Sequence, residues 1–241
     1  MFSEGIGTGM KSVNRNVLKY IAIAAMLSDH VAMAFVPWDS PVYFIMRLIG
    51  RLTAAIMCFF IAEGFYHTGS KYKYGIRLGF FALISQFAYT FFENGTLLTY
   101  RLLTDWNVIF TLFVGFFVLL AYEKIINKPL KWITIGLLCA VSFFGDWMII
   151  APIWILCFYI FRDNKKKRFI VFSVLAAVEV ASCIQFIISH GEAWQIGVFL
   201  VIPLLLLYNG ERGSRNPIHK WAFYLFYPLH LLILGIIKWL F

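Results

Sequence analysis

Residues 17–36 have the sequence VLKYIAIAAMLSDHVAMAFV, an apolar run that holds Asp29 and His30 side by side. At a helical rise of about 1.5 Å per residue, a run of this length spans roughly 30 Å, the hydrocarbon thickness of a bilayer. An aspartate deep in such a helix raises the free energy of membrane insertion by about 2.5–3.5 kcal/mol. It is tolerated where its side chain faces a charged or polar partner or a water-filled cavity. We therefore expect the rest of the chain to pack around the Asp29–His30 pair.

The composition indicates a membrane protein with several spans. Of the 241 residues, 61% are hydrophobic and 14% are charged, against about 45–50% and about 25% in soluble proteins. The net charge of +9 comes from basic residues in short loops between apolar runs. This pattern is typical of topology signals and does not predict a nucleic-acid partner. The four cysteines lie inside apolar runs without C-x-x-C spacing, so we expect buried thiols that act as small hydrophobes.

The apolar runs predict an all-α transmembrane bundle of about nine spanning helices. The predicted spans are residues 17–36, 42–67, 74–92, 106–122, 130–144, 147–161, 169–189, 193–208 and 220–240. The fifth and sixth are short, so we expect them to tilt, to thin the bilayer or to be shielded by neighbours. Residues 1–16 are expected to form a cytoplasmic tail, and residues 17–241 a single transmembrane domain.

The loop charges support this number of helices. The predicted inner loops carry the basic residues Lys11, Arg15, Lys71, Lys73, Lys124, Lys128, Arg162, Lys165, Lys166, Lys167, Arg168, Arg212 and Arg215. The predicted outer loops carry Asp39, Glu93, Asp105, Asp146 and Glu192, with Arg101 as the one basic residue. This alternation predicts a multi-pass protein of the bacterial cytoplasmic membrane, with the N-terminus inside and the C-terminus outside.

Several polar residues gather in the predicted outer half of the bundle. Arg47 and Arg51 are four residues apart on one helix face, and Asn107 lies at the outer start of the fourth span. Successive residues on a helix point about 100° apart. Asp29 can therefore bind an arginine while His30 faces a cavity. A purely structural salt bridge between Asp29 and Arg47 or Arg51 is the alternative.

A further set of polar residues continues toward the predicted inner side. Glu63 and His67 share one face of the second span, and Arg77 lies near the start of the third. His230 lies well inside the last span. A packed, hydrogen-bonded histidine is the alternative interpretation of both His67 and His230. Motifs of metalloproteases and serine hydrolases, H-E-x-x-H and G-x-S-x-G, do not occur in the sequence.

Such a chain of polar residues fits two chemistries. One is a relay in a channel or proton-coupled transporter. The other is an intramembrane enzyme that uses a histidine as general base and arginines to bind an anionic substrate. A scaffold or assembly protein without chemistry is a third possibility.

Ordered motifs cover nearly the whole chain. They are residues 18–22, 26–30, 47–51, 63–68, 73–74, 77–78, 81–86, 107–112 and 223–231. In this order they resemble the TraX family of membrane proteins, named for the conjugative pilin acetylase. The chain departs from the family where residues 53–56, TAAI, replace an expected Phe-Pro, and where Phe87-Ala88 follows Ser85-Gln86 without a proline. These departures bear on pocket shape and acceptor more than on chemistry.

The resemblance implies acyl transfer, with acetyl-CoA as donor, without a metal. The implied acceptor is an amine or hydroxyl group on a pilin or other peptide, or on a surface glycan. A thioester is activated, so the enzyme chiefly positions the acceptor and removes its proton, which a histidine can do. The proposed catalytic residues are His30, Asp29, Arg51, Asn107 and His230, where Arg51 or Asn107 would stabilise the oxyanion. The proposed donor-binding residues are Arg47, Arg51, Glu63, His67, Lys73 and Arg77, because arginine and lysine bind phosphates.

Overall fold

The computed structural model describes residues 13–190, 193–214, 216 and 218–241. Most of these residues are helical and none of them lies in a β-strand, which agrees with the predicted all-α class. The α-helices are α1 (Arg15–Phe35), α2 (Pro41–Gly50), α3 (Leu52–His67), α4 (Lys71–Asn94), α5 (Arg101–Thr104), α6 (Val108–Lys124), α7 (Lys128–Val141), α8 (Ile150–Ile160), α9 (Lys165–Ser182), α10 (Ile184–His190), α11 (Val201–Leu206) and α12 (Ile218–Leu240). Two 3₁₀ helices span Ser142–Phe144 and Ala193–Leu200.

The predicted cytoplasmic tail lies largely outside the described residues, as do Glu192 and Arg215 of the predicted loops. The described end of the tail is attached to the chain that follows α11. Val13 accepts a hydrogen bond from the amide of Asn209 at 3.0 Å, and the amide of Arg15 donates to the Glu211 carbonyl at 2.8 Å. The start of α1 is thereby held against the segment that leads into α12.

All nine predicted spans coincide largely with helices, but four of them are divided. The second is α2 and α3, which are separated at Arg51. The fifth is α7 followed by the 3₁₀ helix Ser142–Phe144. The seventh is α9 and α10, and the eighth is the 3₁₀ helix Ala193–Leu200 followed by α11. A continuous apolar run shows which residues avoid water but carries no signal for a change of helix direction, so the sequence did not reveal these divisions.

Polar caps set the helix ends, which differ from the limits of the apolar runs. Asn14 accepts from the Val17 amide at 3.1 Å, and α1 begins before the apolar run. Ser70 accepts from the Lys73 amide at 3.3 Å, so the two lysines predicted in a loop lie in the first turn of α4. Gly95, with φ +71°, ends this helix just after Glu93, which was also predicted in a loop.

Within the part of the chain that the structure describes, four helical segments are long and apolar enough to cross a bilayer. They are Arg15–Phe35, Pro41–His67, Lys71–Asn94 and Trp221–Leu240. Shorter apolar helices occupy Ile150–Ile160 and Ala193–Leu206. The helical class is therefore established together with four candidate spans.

The α3 helix forms the centre of the bundle. Residues 52–62 are all buried, and the helix packs against α1, α6 and α8. A helix that is apolar on every side is surrounded by other elements. In contrast, α9 exposes Ile170, Val174 and Val178, which are four residues apart and form one outward stripe. An exposed apolar stripe suits contact with lipid better than contact with water.

Candidate functional site

Asp29 binds both arginines of the neighbouring helix pair. Arg51 Nη2 donates to the two carboxylate oxygens at 2.7 and 2.8 Å, and Arg47 Nη1 donates to Oδ2 at 2.8 Å. The three side chains are only 10–14% exposed. Charge-assisted hydrogen bonds of this kind are short and strong when water is excluded. We call Asp29, Arg47 and Arg51 the charged triad.

Gly50 allows the charged triad to form. A Cβ atom on Gly50 would overlap the Asp29 carboxylate, so this position requires a residue without a side chain. The next residue, Arg51, lies at the junction between α2 and α3, and its amide donates to the Arg47 carbonyl at 3.2 Å. Because Arg47 and Arg51 are four residues apart and Arg51 keeps helical backbone angles, both guanidinium groups reach Asp29 from one face.

Aromatic rings flank the two guanidinium groups. Trp194 lies with its ring centroid 5.6 Å from the Arg47 guanidinium, and Trp147 lies 5.1 Å from that of Arg51. Such cation–π contacts are attractive and grow stronger when desolvated. They hold the arginines in place without using their N–H donors.

His30 is hydrogen-bonded to its own helix and to His230 rather than to the charged triad. His30 Nδ1 lies 2.9 Å from the Met26 carbonyl and 3.2 Å from His230 Nε2. His230 Nδ1 lies 2.8 Å from the Phe226 carbonyl. Each histidine is thus held by the backbone one turn earlier in its own helix, and α1 is joined to α12 through the two rings.

These contacts assign the tautomers of the neutral rings. A carbonyl oxygen can only accept, so Nδ1 of each histidine carries the proton. His230 Nε2 then accepts from His30 Nδ1. His30 Nε2 is left with a free lone pair, and no hydrogen bond to it is found among the described residues. A lone pair of this kind is what a general base requires.

A cavity of about 110 Å³ lies beside His30. We call it the histidine cavity. Besides His30 and the charged triad, its polar lining comprises Thr53, Tyr89, Glu93, Asp146 and Tyr227. Although carboxylates and a histidine share this space, no group of three or more metal-ligating side chains is found in the described part of the chain. The cavity thus combines a base, two guanidinium groups and two further carboxylates.

The loop after α7 brings Asp146 to this cavity. The amide of Trp106 donates to the Phe144 carbonyl at 2.7 Å, and the amide of Asp146 donates to the Trp106 carbonyl at 2.8 Å. Thr111 Oγ donates to the Asp146 carbonyl at 2.6 Å. The start of α6 is therefore tied to the loop that was predicted on the same side as His30.

Asn107 is placed as a helix cap. Its Oδ1 accepts from the amides of Ile109 and Phe110 at 2.9 and 3.3 Å, and its Nδ2 donates to Gln86 Oε1 and the Ala82 carbonyl, both at 2.8 Å. It is fully buried and does not line the histidine cavity. These bonds give Asn107 a structural role, because they cap α6 and join it to α4.

A second cavity of about 210 Å³ lies between the N-terminal end of α1, the C-terminal end of α3 and the segment that leads into α12. We call it the basic cavity. Its charged and titratable lining residues are Arg15, Lys19, Arg77, Arg212 and His219. Of the predicted donor-binding residues, Arg77 lines this cavity, and the charged triad supplies the other arginines to the histidine cavity.

The remaining predicted donor-binding residues line neither cavity. Glu63 Oε2 lies 3.7 Å from His67 Nε2 and 3.9 Å from Arg15 Nη2, and the His67 side chain is 55% exposed. Lys73 is exposed at the start of α4. Glu63 thus reaches the basic cavity only through its contact with Arg15.

Sequence reasoning missed several residues of the two cavities. Tyr89 and Tyr227 were hidden among many aromatic residues, and Gly50 gave no signal beyond its place directly before Arg51. Lys19 and His219 were not selected because a basic residue near the end of a span is usually a topology signal. Only the packing of α1 against α12 brings the last two together.

The chain matches a known family and a curated relative over most of its length. A family model described as TraX protein matches residues 14–238, which include both histidines and both cavities. The chain is 32% identical over 228 residues to the "Probable fimbrial assembly protein FimC, serogroup H1" of Dichelobacter nodosus, with 90% of this chain and 92% of that protein covered. No solved structure matches. The chain therefore belongs to the TraX family, and its apolar helices are those of a membrane protein.

Proposed function

We propose that this protein is an integral membrane acyltransferase that moves an acetyl group from acetyl-CoA to an amine or hydroxyl acceptor. The supporting observation is the arrangement of His30, whose Nε2 lone pair shares a cavity with two buried guanidinium groups. A base beside fixed positive charge is the arrangement that acyl transfer needs, because a proton leaves the acceptor while negative charge develops on the carbonyl oxygen.

In the proposed reaction, the acceptor nitrogen or oxygen attacks the thioester carbonyl carbon. His30 Nε2 takes the acceptor proton, and the carbonyl oxygen becomes negative. Collapse of this intermediate breaks the C–S bond, and the imidazolium gives the proton to the departing thiolate. The acceptor keeps the acetyl group through a new C–N or C–O bond, and free CoA is released.

The charged triad would supply the charge that stabilises the oxyanion. Two arginines share one carboxylate, so the triad carries one excess positive charge. Arg47 Nε is buried and makes no hydrogen bond within the described residues. In this proposal Asp29 positions the two guanidinium groups, and it has no contact with His30 that would make it a partner of the base.

The proposal includes nine spans, with the N-terminus inside and the C-terminus outside in the cytoplasmic membrane. The helical state of every predicted span and the basic residues at one end of the bundle support it. With this orientation the basic cavity opens toward the cytoplasm, where acetyl-CoA is made, and the histidine cavity lies nearer the outer face.

The acceptor in this proposal is a peptide amine of a pilus or fimbrial subunit, or a surface glycan. The support is the printed name of the Dichelobacter nodosus relative, which assigns that protein to fimbrial assembly. Glu93 and Asp146 in the histidine cavity are suited to a cationic amine, since opposite charges attract strongly in a partly desolvated site.

A proton-coupled transporter is the second candidate. The observation that favours it is the direct hydrogen bond between His30 and His230, a pair that can pass a proton between two helices. A transporter would move its substrate through sealed vesicles without any acyl donor.

The test is acetyl transfer by the purified chain in nanodiscs, measured as CoA release and as mass gain of acceptor peptides and glycans. We expect His30→Gln to lose about 10²-fold or more in rate, because glutamine cannot take a proton. Thr134→Ala is the control, since this hydroxyl bonds the Leu130 carbonyl of its own helix, away from both cavities. Full activity of folded His30→Gln, or flux without donor, would contradict the proposal.

A further inference from the structure

We infer that the basic cavity is the site that binds the phosphate groups of the acyl donor. The inference rests on the proposed function and adds a binding site at the opposite end of the helices from His30. Four formally positive side chains line the cavity, namely Arg15, Lys19, Arg77 and Arg212. None of its described lining residues is acidic.

Arg15 makes one long ion pair among the described residues. Glu63 approaches Arg15 at 3.9 Å from outside the lining, at the limit of an ion pair. The Nε atoms of Arg15 and Arg77 are buried and have no hydrogen-bond partner in the described part of the protein. Buried donors are normally paired. Two such donors beside an open space indicate an anionic ligand with several acceptor oxygens, which describes a phosphate ester.

The wall of the basic cavity is held in place by contacts between distant parts of the chain. Asn16 Nδ2 donates to the Ser214 carbonyl at 2.9 Å, and Tyr20 shares a hydrogen bond of 2.8 Å with His219 Nδ1. The amide of Arg15 donates to the Glu211 carbonyl at 2.8 Å. These bonds fix the start of α1 against the chain before α12, so the arginines of both segments face one space before a ligand arrives.

Aromatic rings form part of the same lining. Lys19 Nζ lies 5.1 Å from the centroid of Phe223 and 5.8 Å from that of Phe60. The Arg77 guanidinium lies 5.6 Å from the Tyr74 ring. Flat aromatic faces stack on heterocyclic bases regardless of base identity. The combination of basic and aromatic side chains therefore fits a phosphorylated nucleoside better than a simple inorganic anion.

The two cavities lie along the same helices. Thr53 lines the histidine cavity and Met57 lines the basic cavity, four residues further along one face of α3. On α12, Tyr227 lines the histidine cavity and Tyr224, three residues earlier, lines the basic cavity, whereas on α6 the adjacent residues Val108 and Ile109 line one cavity each. The nearest lining residues of the two cavities thus lie within about one helical turn, roughly 5 Å, of each other along the helix axis.

The distance from Lys19 in the basic cavity to His30 in the histidine cavity matches the length of a pantetheine arm. Lys19 and His30 are eleven residues apart on α1, which corresponds to about 16 Å along the helix axis. Roughly thirteen bonds join the phosphate to the sulfur of CoA, and an extended chain advances about 3.5 Å per three bonds, giving about 15 Å. A donor with its phosphates in the basic cavity can therefore present its thioester to His30.

The experiment measures transfer by the full chain in phosphatidylcholine nanodiscs with two donors, acetyl-CoA and acetyl-pantetheine, which lacks phosphates. We expect Arg77→Gln and the exposed loop variant Arg212→Gln to raise KM for acetyl-CoA about tenfold, with little change in kcat. Their KM for acetyl-pantetheine should be unchanged. Arg77→Lys keeps the positive charge, so its KM for acetyl-CoA should lie between the KM of Arg77→Gln and that of the parent chain. The control is Lys128→Gln, an exposed charge that lines neither cavity.

A second readout is the thermal shift caused by free CoA, measured on the same proteins. Loss of the shift in Arg77→Gln and Arg212→Gln but not in Lys128→Gln supports the site, even if the chain transfers no acetyl group. If transfer depends on His30 but both arginine variants keep the parent KM and thermal shift, the basic cavity is not the phosphate site. The proposed function would still stand in that case. The inference is also wrong if phosphatidylglycerol stabilises the protein and CoA does not displace this lipid. The basic cavity would then bind a lipid headgroup.

Discussion

His230 Nε2 lies 3.2 Å from His30 Nδ1, although 200 positions separate the two residues in the chain. The contact joins the last helix to the first and engages Nδ1 of His30, which lines the histidine cavity. The His230 ring is itself stacked on Phe226, with centroids 4.6 Å apart and planes inclined by 8°. In the proposed function, His230 is therefore expected to position His30.

The first prediction concerns this histidine pair. His230→Phe removes one of the two acceptors of His30 Nδ1–H and leaves the Met26 carbonyl as the other, so the His30 ring is less firmly held. We expect a loss of about tenfold to hundredfold in transfer rate together with an altered pH–rate profile. His230→Gln keeps an acceptor oxygen and should lose less. Both variants are measured in nanodiscs as kcat against pH. An unchanged profile in His230→Phe would show that His230 has no positioning role.

The second prediction concerns the charged triad. Removing one partner of a buried ion pair is expected to cost about 3–5 kcal/mol, because it leaves a desolvated charge. Asp29→Asn should therefore lower the thermal midpoint in detergent strongly. Combining it with Arg51→Gln should cost less than the sum of the single changes, by about 0.5–3 kcal/mol, because the two side chains share hydrogen bonds. Strict additivity would argue against the pair.

The third prediction compares two glycines. Gly50→Ala places a methyl group on the Asp29 carboxylate, and we expect it to destabilise the protein by about 1–3 kcal/mol and to reduce transfer. Gly136→Ala, on α7, meets open space and should stabilise its helix by about 0.5–1 kcal/mol. Thermal midpoints of the two variants are compared with the parent chain. Equal effects would mean that Asp29 does not approach Gly50 closely.

The fourth prediction tests Asn107 as a cap. Asn107→Ala removes the acceptor for the first amides of α6 and one of the two donors to Gln86 Oε1, with an expected loss of about 2 kcal/mol. Asn107→Asp keeps the capping oxygen and should recover part of this stability. The measurement is thermal unfolding in detergent. If Asn107→Ala unfolds at the parent temperature, the capping role is wrong.

The fifth prediction tests the proposed topology. Single cysteines are introduced into a chain whose four native cysteines are replaced, and intact cells are treated with an impermeant maleimide. With nine spans, Asp39→Cys and Thr99→Cys are labelled, whereas Lys128→Cys and Asp163→Cys are protected. If only the four candidate spans cross the membrane, the last two positions lie outside and become labelled. The labelling pattern therefore decides between the two arrangements.

The sequence predicted the helical segments well because an apolar segment in lipid must satisfy its backbone hydrogen bonds internally, which favours a helix. It placed the helix ends less accurately. Asn14 and Ser70 extend their helices into polar sequence, which a hydropathy argument assigns to loops. It also did not reveal the break at Arg51, because the apolar character continues on both sides of it.

The sequence also predicted that Asp29 binds an arginine and that His30 turns toward a cavity. Helical spacing was sufficient for this, since adjacent residues point in different directions while Arg47 and Arg51 share one face. The partner of His30 and the roles of Gly50 and Tyr227 could not be predicted, because they depend on which helices become neighbours.

The sequence by itself therefore determined the all-helical class, the segments that form the helices and the residues whose charge requires a buried partner. These properties follow from local composition and helical periodicity. The tertiary structure decided that His230 meets His30, that Asp29 binds two arginines at once, and that Lys19 and His219 line one basic cavity. These relationships depend on contacts between helices far apart in the chain, where packing geometry and not local sequence selects the neighbours.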